Sequence, residues 1–293
     1  MSLLGIIYGG VLNFAYLIRS NHSFKNKVRI LFTWVRIHLK FLFFSKVFKL
    51  KSEKIFGYTI QAFEYETIRF LFDEIFFRNE YLFYSENKKP VIFDCGANIG
   101  FAALFFKWLY PESVIYAFEP DGKTFEILKE NIVQNRLENV YLFNSAISDR
   151  SGTIDFFVDL KNPSSMLMST KQERMPKDRI RVNCISLSAF MKDKKIQHVD
   201  FVKMDIEGSE QEAIRDLDKH NQLKKIIKLV VEYHHKINTY KSNLGEFLQI
   251  FERNGFEYQI DTKCIPTNSE NKFQDVLLYV YKSKRNVWMG SET

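Results

Sequence analysis

The 293-residue chain is 46% hydrophobic, enough for a substantial core, so global disorder is excluded. Its net charge of +7 is gathered at one end. Residues 1–54 carry ten Lys/Arg against Glu53 alone, and the remainder is close to neutral at −2. A body that is not basic speaks against a nucleic-acid partner. Three cysteines (Cys95, Cys184, Cys264) without CxxC spacing suggest neither a structural zinc site nor a disulfide framework, and they fit a reducing, cytoplasmic setting.

Residues 1–54 read as an N-terminal arm. Residues 1–18 are uncharged but at the low end of spanning length, and Ser2, Asn13 and three glycines interrupt them. No basic segment precedes this run, which speaks against a cleaved signal peptide. Over residues 25–44, Lys25, Arg29, Arg36 and Lys40 share one helical stripe with Thr33, while Ile30, Leu31, Trp34, Val35, Ile37, Leu39, Phe41 and Leu42 take most of the rest. Two arrangements fit. One is a helix lying in a membrane interface with its basic side on anionic head groups. The other is a helix packed on the protein's own core with a solvated basic edge. The first predicts peripheral contact with the inner face of the cytoplasmic membrane through residues 25–50.

Residues 55–89 form a lead-in segment of strand and helix, the helix over Glu66–Phe77. From residue 90 short apolar runs alternate with amphipathic ones. Strands are predicted at Val91–Asp94, Val114–Glu119, Val140–Asn144, Ile180–Ile185, Val199–Asp205, Ile226–Tyr233, Phe256–Ile260 and Val276–Tyr281. A turn and strand are predicted over Ser148–Leu160. Helices are predicted at Ile99–Tyr110, Gly122–Asn135, Leu187–Lys192, Ser209–Asp218 and Leu244–Asn254. This alternation implies a mainly parallel α/β sheet with helices on both faces, closed by an antiparallel edge pair. The domain occupies 90–283, with a tail at 284–293. The polar stretch Asn162–Lys177, with two prolines, reads as a loop over the active site.

Four features stand at strand ends, where open α/β sheets bind ligands. In VIFDCGANIG, a strand delivers Asp94, and Gly96 and Gly100 allow a tight turn into a helix. Asn98 occupies the place of the middle glycine of a dinucleotide fingerprint, which makes a nicotinamide cofactor a poor fit. An acid before the turn suits a cofactor bearing an ammonium and a sulfonium. Glu119, at the end of the next strand, is placed to accept two ribose hydroxyls. Past the third strand, Ser145 and Ala146 leave room for a flat adenine, and Asn144, Ser145 or Asp149 is a candidate for its exocyclic amine. Finally Asp205, Glu207 and Glu210 cluster at the end of the fourth parallel strand, with Asp205 the leading functional candidate.

VIFDCGANIG, YAFEPDGKTFEILKENI, NSAISDRSGTIDFF, VDFVKMDIEGSEQEAI and LVVEYHH, taken together, resemble the FkbM family of methyltransferases. The resemblance covers roughly residues 88–236 and extends loosely to 281. It implies a class I (Rossmann-like) methyltransferase fold with a seven-stranded, mainly parallel sheet. It also implies S-adenosyl-L-methionine as cofactor and methyl transfer to oxygen, commonly a hydroxyl of a sugar or polyketide. The family's cofactor loop falls on Asp94, Gly96, Asn98 and Gly100, its ribose acid on Glu119, and its acidic motif on Asp205, Glu207, Gly208 and Glu210. The arm lies outside the resemblance.

The expected activity is O-methylation of a glycan or glycolipid precursor. A polyketide or other small secondary metabolite is the alternative acceptor, and a non-catalytic membrane-tethered nucleoside-binding protein the alternative class. A sugar hydroxyl is a poor nucleophile and must lose its proton as it attacks, so a base is needed. Asp205, His234 and His235 are the candidates, with Glu232 beside them. Adjacent histidines on a strand cannot both point inward. Glu232, His234 and Asp205 together can hold a divalent metal that acidifies the hydroxyl. Their spacing fits no fixed ligand motif, so no metal ligand is assigned. No N-P-P-[YF] tetrapeptide follows the fourth strand, where an amino-methylating nucleic-acid enzyme places one.

Overall fold

The computed structural model describes residues 14–159, 169–170, 178–235, 243–262 and 274–282. In chain order come α1 (Phe24–Phe43), α2 (Ser45–Phe48), the hairpin β1 (Ser52–Ile55) and β2 (Tyr58–Gln61), and α3 (Tyr65–Phe72). Then follow β3 (Val91–Cys95), α4 (Phe101–Leu109), β4 (Val114–Phe118), α5 (Gly122–Gln134) and β5 (Val140–Phe143). Next are β6 (Ala146–Ser148), β7 (Gly152–Val158), β8 (Asp178–Ser186), α6 (Leu187–Asp193), β9 (Val199–Met204) and α7 (Glu210–Lys219). β10 (Ile226–His235), α8 (Leu244–Arg253), β11 (Phe256–Thr262) and β12 (Gln274–Lys282) complete the order.

The main sheet has seven strands in the order β11-β12-β10-β9-β3-β4-β5. The last five are parallel, and β12 and β11 add the antiparallel edge. Strands covered on both faces must be apolar on both. Ile92, Ile115, Phe201 and Val230 therefore pack with α3, α4 and α5 on one side. Their neighbours Phe93, Phe118, Val202 and Leu229 pack with α6, α7 and α8 on the other. This is the class I methyltransferase arrangement implied above.

Two local features go beyond the sequence reading. The segment predicted as a turn and strand over Ser148–Leu160 leaves the main sheet. It joins a separate three-stranded sheet in the order β6-β8-β7. The lead-in helix does not run uniformly to Phe77, because Asp73–Phe77 widen into a π-turn.

The arm helix α1 starts at Ser23, whose hydroxyl accepts from the Asn26 N–H. It buries Ile30, Thr33, Ile37 and His38, and Ile30 and Ile37 join the main core. Trp34 stacks on Phe77 at 5.1 Å between ring centroids. The basic stripe lies at the surface, with Lys25, Arg29 and Arg36 exposed, as envisaged for a packed helix, but much of it is paired. Arg36 and Lys40 reach the buried Glu53 at 3.2 and 2.9 Å, and Arg29 lies 5.0 Å over the Phe56 ring. Glu53 is a buried carboxylate on the adjoining hairpin that needs a cationic partner, and Arg36 and Lys40 supply it from the surface. Apolar side chains are left facing out: Phe24 is 82% exposed, Phe32 71% and Val47 74%, with Leu39, Phe43, Phe44 and Phe48 also exposed. Among the described residues no helix is long and apolar enough to cross a membrane. Residues 1–13 of the uncharged N-terminal run lie outside them.

Candidate active site

After β5 the chain crosses back to β9, so the strand order reverses between β3 and β9, and a crevice opens at their carboxyl ends. The loops leaving these two strands meet backbone to backbone. Asp205 N–H donates to Cys95 O at 3.1 Å. A Cβ on Gly96 (φ +79°) would lie 1.8 Å from the carbonyl oxygen of Asp205. Only glycine fits there. Gly96 and Ala97 donate to Phe118 O, which binds the loop to β4 as well. Asn98 (φ +49°) accepts from the Ile99 N–H with its own side chain, and its N–H donates to Glu119 Oε2 at 2.9 Å. Gly100 (φ +85°) opens α4, where a Cβ would press on Leu128.

A cleft lies over these ends. Gly96, Asn98, Glu119, Ser145 and Ala146 line it, together with Phe118, Ile147, Phe156, Thr170, Asp205, Ile206 and Glu207. Glu119 is almost fully buried and accepts from the N–H groups of Asn98 and Asp121. Burial pushes its carboxyl up to about 8, against those two donors, which favour the charged form. Phe118, Ala146, Ile147 and Phe156 make the flat apolar part of the wall.

Four predicted cofactor residues stand away from the cleft lining. Asp94 is fully buried behind the loop, accepts no hydrogen bond, and lies 3.7 Å from Lys203 Nζ. Gly100 acts on the start of α4. Asp149 lies in an exposed depression with Arg150, 3.7 Å away, because β6 carries it out with the second sheet. Asn144 donates to the carbonyls of Glu119 and Pro120, so it fixes the end of β4. Within the predicted loop 162–177 only Ser169 and Thr170 are described. Ser169 Oγ donates to Glu207 O, and Thr170 lines the cleft.

A second cavity adjoins the cleft and shares Gly96, Asn98, Asp205 and Glu207 with it. Its other walls are Glu74, Ile75 and Tyr81 of the lead-in segment, Phe101 of α4, Lys203 and Glu232. Lys203 is buried at the seam. Its ammonium donates to the carbonyls of Cys95 and Gly96, lies 3.7 Å from Asp94 and 3.5 Å from Asp205, and sits over the Tyr81 ring. Burial disfavours its charge, yet Asp205, Asp94 and Glu232 hold its pKa above the ordinary lysine value. Burial and then Glu80 drive the Glu74 carboxyl well above the usual range.

The His234 side chain is fully buried between acids. Nδ1 lies 2.8 Å from Glu210 and Nε2 3.0 Å from Glu207, with Asp205 at 3.9 Å and Glu232 at 4.0 Å. Burial opposes protonation, but Glu207 and Glu210 outweigh it and raise the pKa well above the ordinary histidine value. The ring is thus an imidazolium with both nitrogens engaged. The side chain of His235 falls outside the described residues.

The sequence reading gave no role to Lys203, Glu74 or Tyr81. Lys203 had a signal: a lysine within the buried VDFVKM strand has to find buried acids. Glu74 and Tyr81 had none, since nothing local ties the lead-in segment to the strand ends.

The model of the family described as Methyltransferase FkbM domain matches residues 94–258, more than half of the chain. Three relatives are named for their chemistry. The 2-O-methyltransferase NoeI of Sinorhizobium fredii is 29% identical over 143 residues, 44% of this chain and 58% of that protein. The 31-O-demethyl-FK506 methyltransferase FkbM of Streptomyces tacrolimicus is 26% identical over 222 residues, 64% of this chain and 81% of that protein. The hexuronic acid methyltransferase AglP of Haloferax volcanii is 26% identical over 145 residues, 49% and 56% of the two chains.

Proposed function

Because this chain belongs to the FkbM methyltransferase family, it is an S-adenosylmethionine-dependent methyltransferase, and we propose that it O-methylates a hydroxyl of a glycan or glycolipid precursor. The observation that carries the glycan reading is the cavity beside the cleft. Glu74, Asp205, Glu207 and Glu232 all line it. Carboxyl groups are rich in hydrogen-bond acceptors, and a carboxyl pushed up as Glu74 is can also donate, so these walls suit a ligand rich in hydroxyls. A largely apolar polyketide suits them less well.

In this reading Glu119 takes the ribose hydroxyls, Ser145 and Ala146 flank the adenine beside Ile147, and the Gly96–Asn98 loop with Asp94 behind it faces the amino-acid end. When bound, S-adenosylmethionine supplies a methyl group already activated by its sulfonium. The chain's own work is then positioning and proton removal. Asp205 and Glu232 are the carboxylates placed to take the hydroxyl proton. His234, held as an imidazolium, positions Glu207 and Glu210. Turnover with radiolabelled cofactor against a panel of nucleotide sugars, lipid-linked saccharides and macrolides tests the acceptor. Methylation of macrolides alone would sink the glycan reading.

The arm carries the second part of the proposal, peripheral membrane contact. Phe24, Phe32, Leu39, Phe43, Phe44, Val47 and Phe48 are exposed, with Lys46, Lys49 and Lys51 nearby, as an interfacial helix on anionic lipid requires. Removing the whole arm would also remove Ile30 and Ile37 from the core, so point changes are the better probe. The pair Phe32→Ser and Phe43→Ser should lower flotation with anionic vesicles several-fold and leave cofactor binding intact. Unchanged flotation would end the membrane proposal.

A further inference from the structure

We propose that Asp205, Glu207 and His234 bind a divalent cation at the seam between the cofactor cleft and the acceptor cavity. One ligand atom from each lies within 4.8 Å of the others. His234 Nε2 and Glu207 Oε2 are 3.0 Å apart. Two ligand atoms each about 2.1 Å from an ion, at right angles, are about 3.0 Å apart. That pair already has the spacing of neighbouring ligands. Asp205 Oδ1 is closed off from solvent and accepts no hydrogen bond; it lies 3.9 Å from the same ring nitrogen.

The cation takes the place of the Nε2 proton, which is released on binding, and the ring is otherwise held as a ligand is held. Its Nδ1 is fixed by Glu210 at 2.8 Å, which aims Nε2 at Glu207 and Asp205. A carboxylate on the far nitrogen is the outer-shell partner that sets the ring orientation of metal-bound histidines. Glu210 is itself anchored by the Gly208 N–H at 2.9 Å. The electrostatic balance points the same way. Asp205, Glu207, Glu210 and Glu232 converge here against Lys203 and His234. Two carboxylates and one imidazole suit a hard or borderline ion such as magnesium or manganese.

The role rests on the acceptor reading above. Asp205 and Glu207 line both the cleft and the cavity, so an ion there can hold the acceptor oxygen and lower the pKa of its hydroxyl. The hydroxyl proton then passes to Glu232, which divides the work of the two carboxylates: Asp205 to the ion, Glu232 to the proton.

The test is a manganese titration of the chelator-treated full-length protein, read by electron paramagnetic resonance of free Mn²⁺, with and without S-adenosylhomocysteine. One saturable Mn²⁺ per chain is expected. Asp205→Asn and Glu207→Gln should each weaken it, and Glu210→Gln should do so through the ring by about 10–100-fold. Circular dichroism and S-adenosylhomocysteine binding confirm that each variant is folded. No saturable Mn²⁺ up to millimolar concentration overturns the inference, as does affinity indifferent to Asp205→Asn and Glu207→Gln. A wild type that binds Mn²⁺ but methylates no glycan overturns the acceptor reading alone.

Discussion

The two sides of the same strand ends are built from different chemistry. Over β4 and β5 the cleft is mainly apolar, and its one deeply buried acid, Glu119, is pushed up to about 8. Over β9 and β10 the walls carry Asp205, Glu207 and Glu232, with Lys203 and His234 charged among them. Both sides are buried, so burial alone does not decide the state of a group. Among the described residues Glu119 has backbone donors but no ion pair, only a weaker pull from Lys203, and burial dominates. Lys203 and His234 have opposite charges within 4 Å, and the partners dominate. One side can recognise a nucleoside by shape and a single acid, while the other reads its ligand by charge.

The sharpest way to break this comparison is at the point where the sides touch. Gly96→Ala drives a Cβ into the backbone of Asp205, and no side chain there can move aside. It should abolish both turnover and S-adenosylhomocysteine binding by calorimetry. Wild-type affinity in this variant would mean the loops are not in contact. A smaller effect should separate the sides. Asp205→Asn is expected to lower turnover by about 10²–10⁴-fold, the order of loss when a carboxylate that assists removal of the hydroxyl proton, directly or through a cation, is neutralised. Calorimetry should find its S-adenosylhomocysteine affinity within a few-fold of wild type, and a large loss would show that Asp205 serves the cofactor instead.

The smallest effect concerns Glu119. To accept ribose hydroxyls with both oxygens it must ionise, so S-adenosylhomocysteine affinity should rise by about 25-fold between pH 6.5 and 8.5. Glu119→Gln should flatten that profile; a profile equally steep in the variant would assign the titration elsewhere. The sign for folding is the reverse. A native pKa near 8 against an ordinary 4.5 means the folded protein holds a proton that the unfolded chain releases. This contribution to the ligand-free protein's stability is full below pH 4.5 and is lost as pH rises through about 8. Thermal melts of wild type and Glu119→Gln across that window measure it.

Much of this was legible in the sequence, for reasons that can be named. Parallel strands buried on both faces must be apolar throughout, so β3, β4, β9 and β10 stood out, and their ends marked Asp94, Glu119 and Asp205. Partner choice is less visible. β6, β7 and β8 carry ordinary strand patterns, and nothing in them states that they pair with one another and leave the main sheet; Asp149 was placed in the adenine loop for that reason. The basic stripe of α1 was visible, but its partner was not. Glu53, thirteen residues beyond Lys40, holds Arg36 and Lys40 against the hairpin, and Phe24, Phe32 and Phe43 are left exposed beside them. The role of Glu74 depends on a tertiary contact between a lead-in helix and strand ends far along the chain.

That last contact has a consequence for how such an enzyme can change. Leu71, Glu74, Ile75 and Tyr81 wall the acceptor cavity, yet all lie before residue 94, where the match to the family begins. On the proposed reading, part of the choice of acceptor is carried on a stretch of chain separate from the catalytic loops. New acceptors are open to exploration by exchanging residues 65–81, with the catalytic loops left as they are.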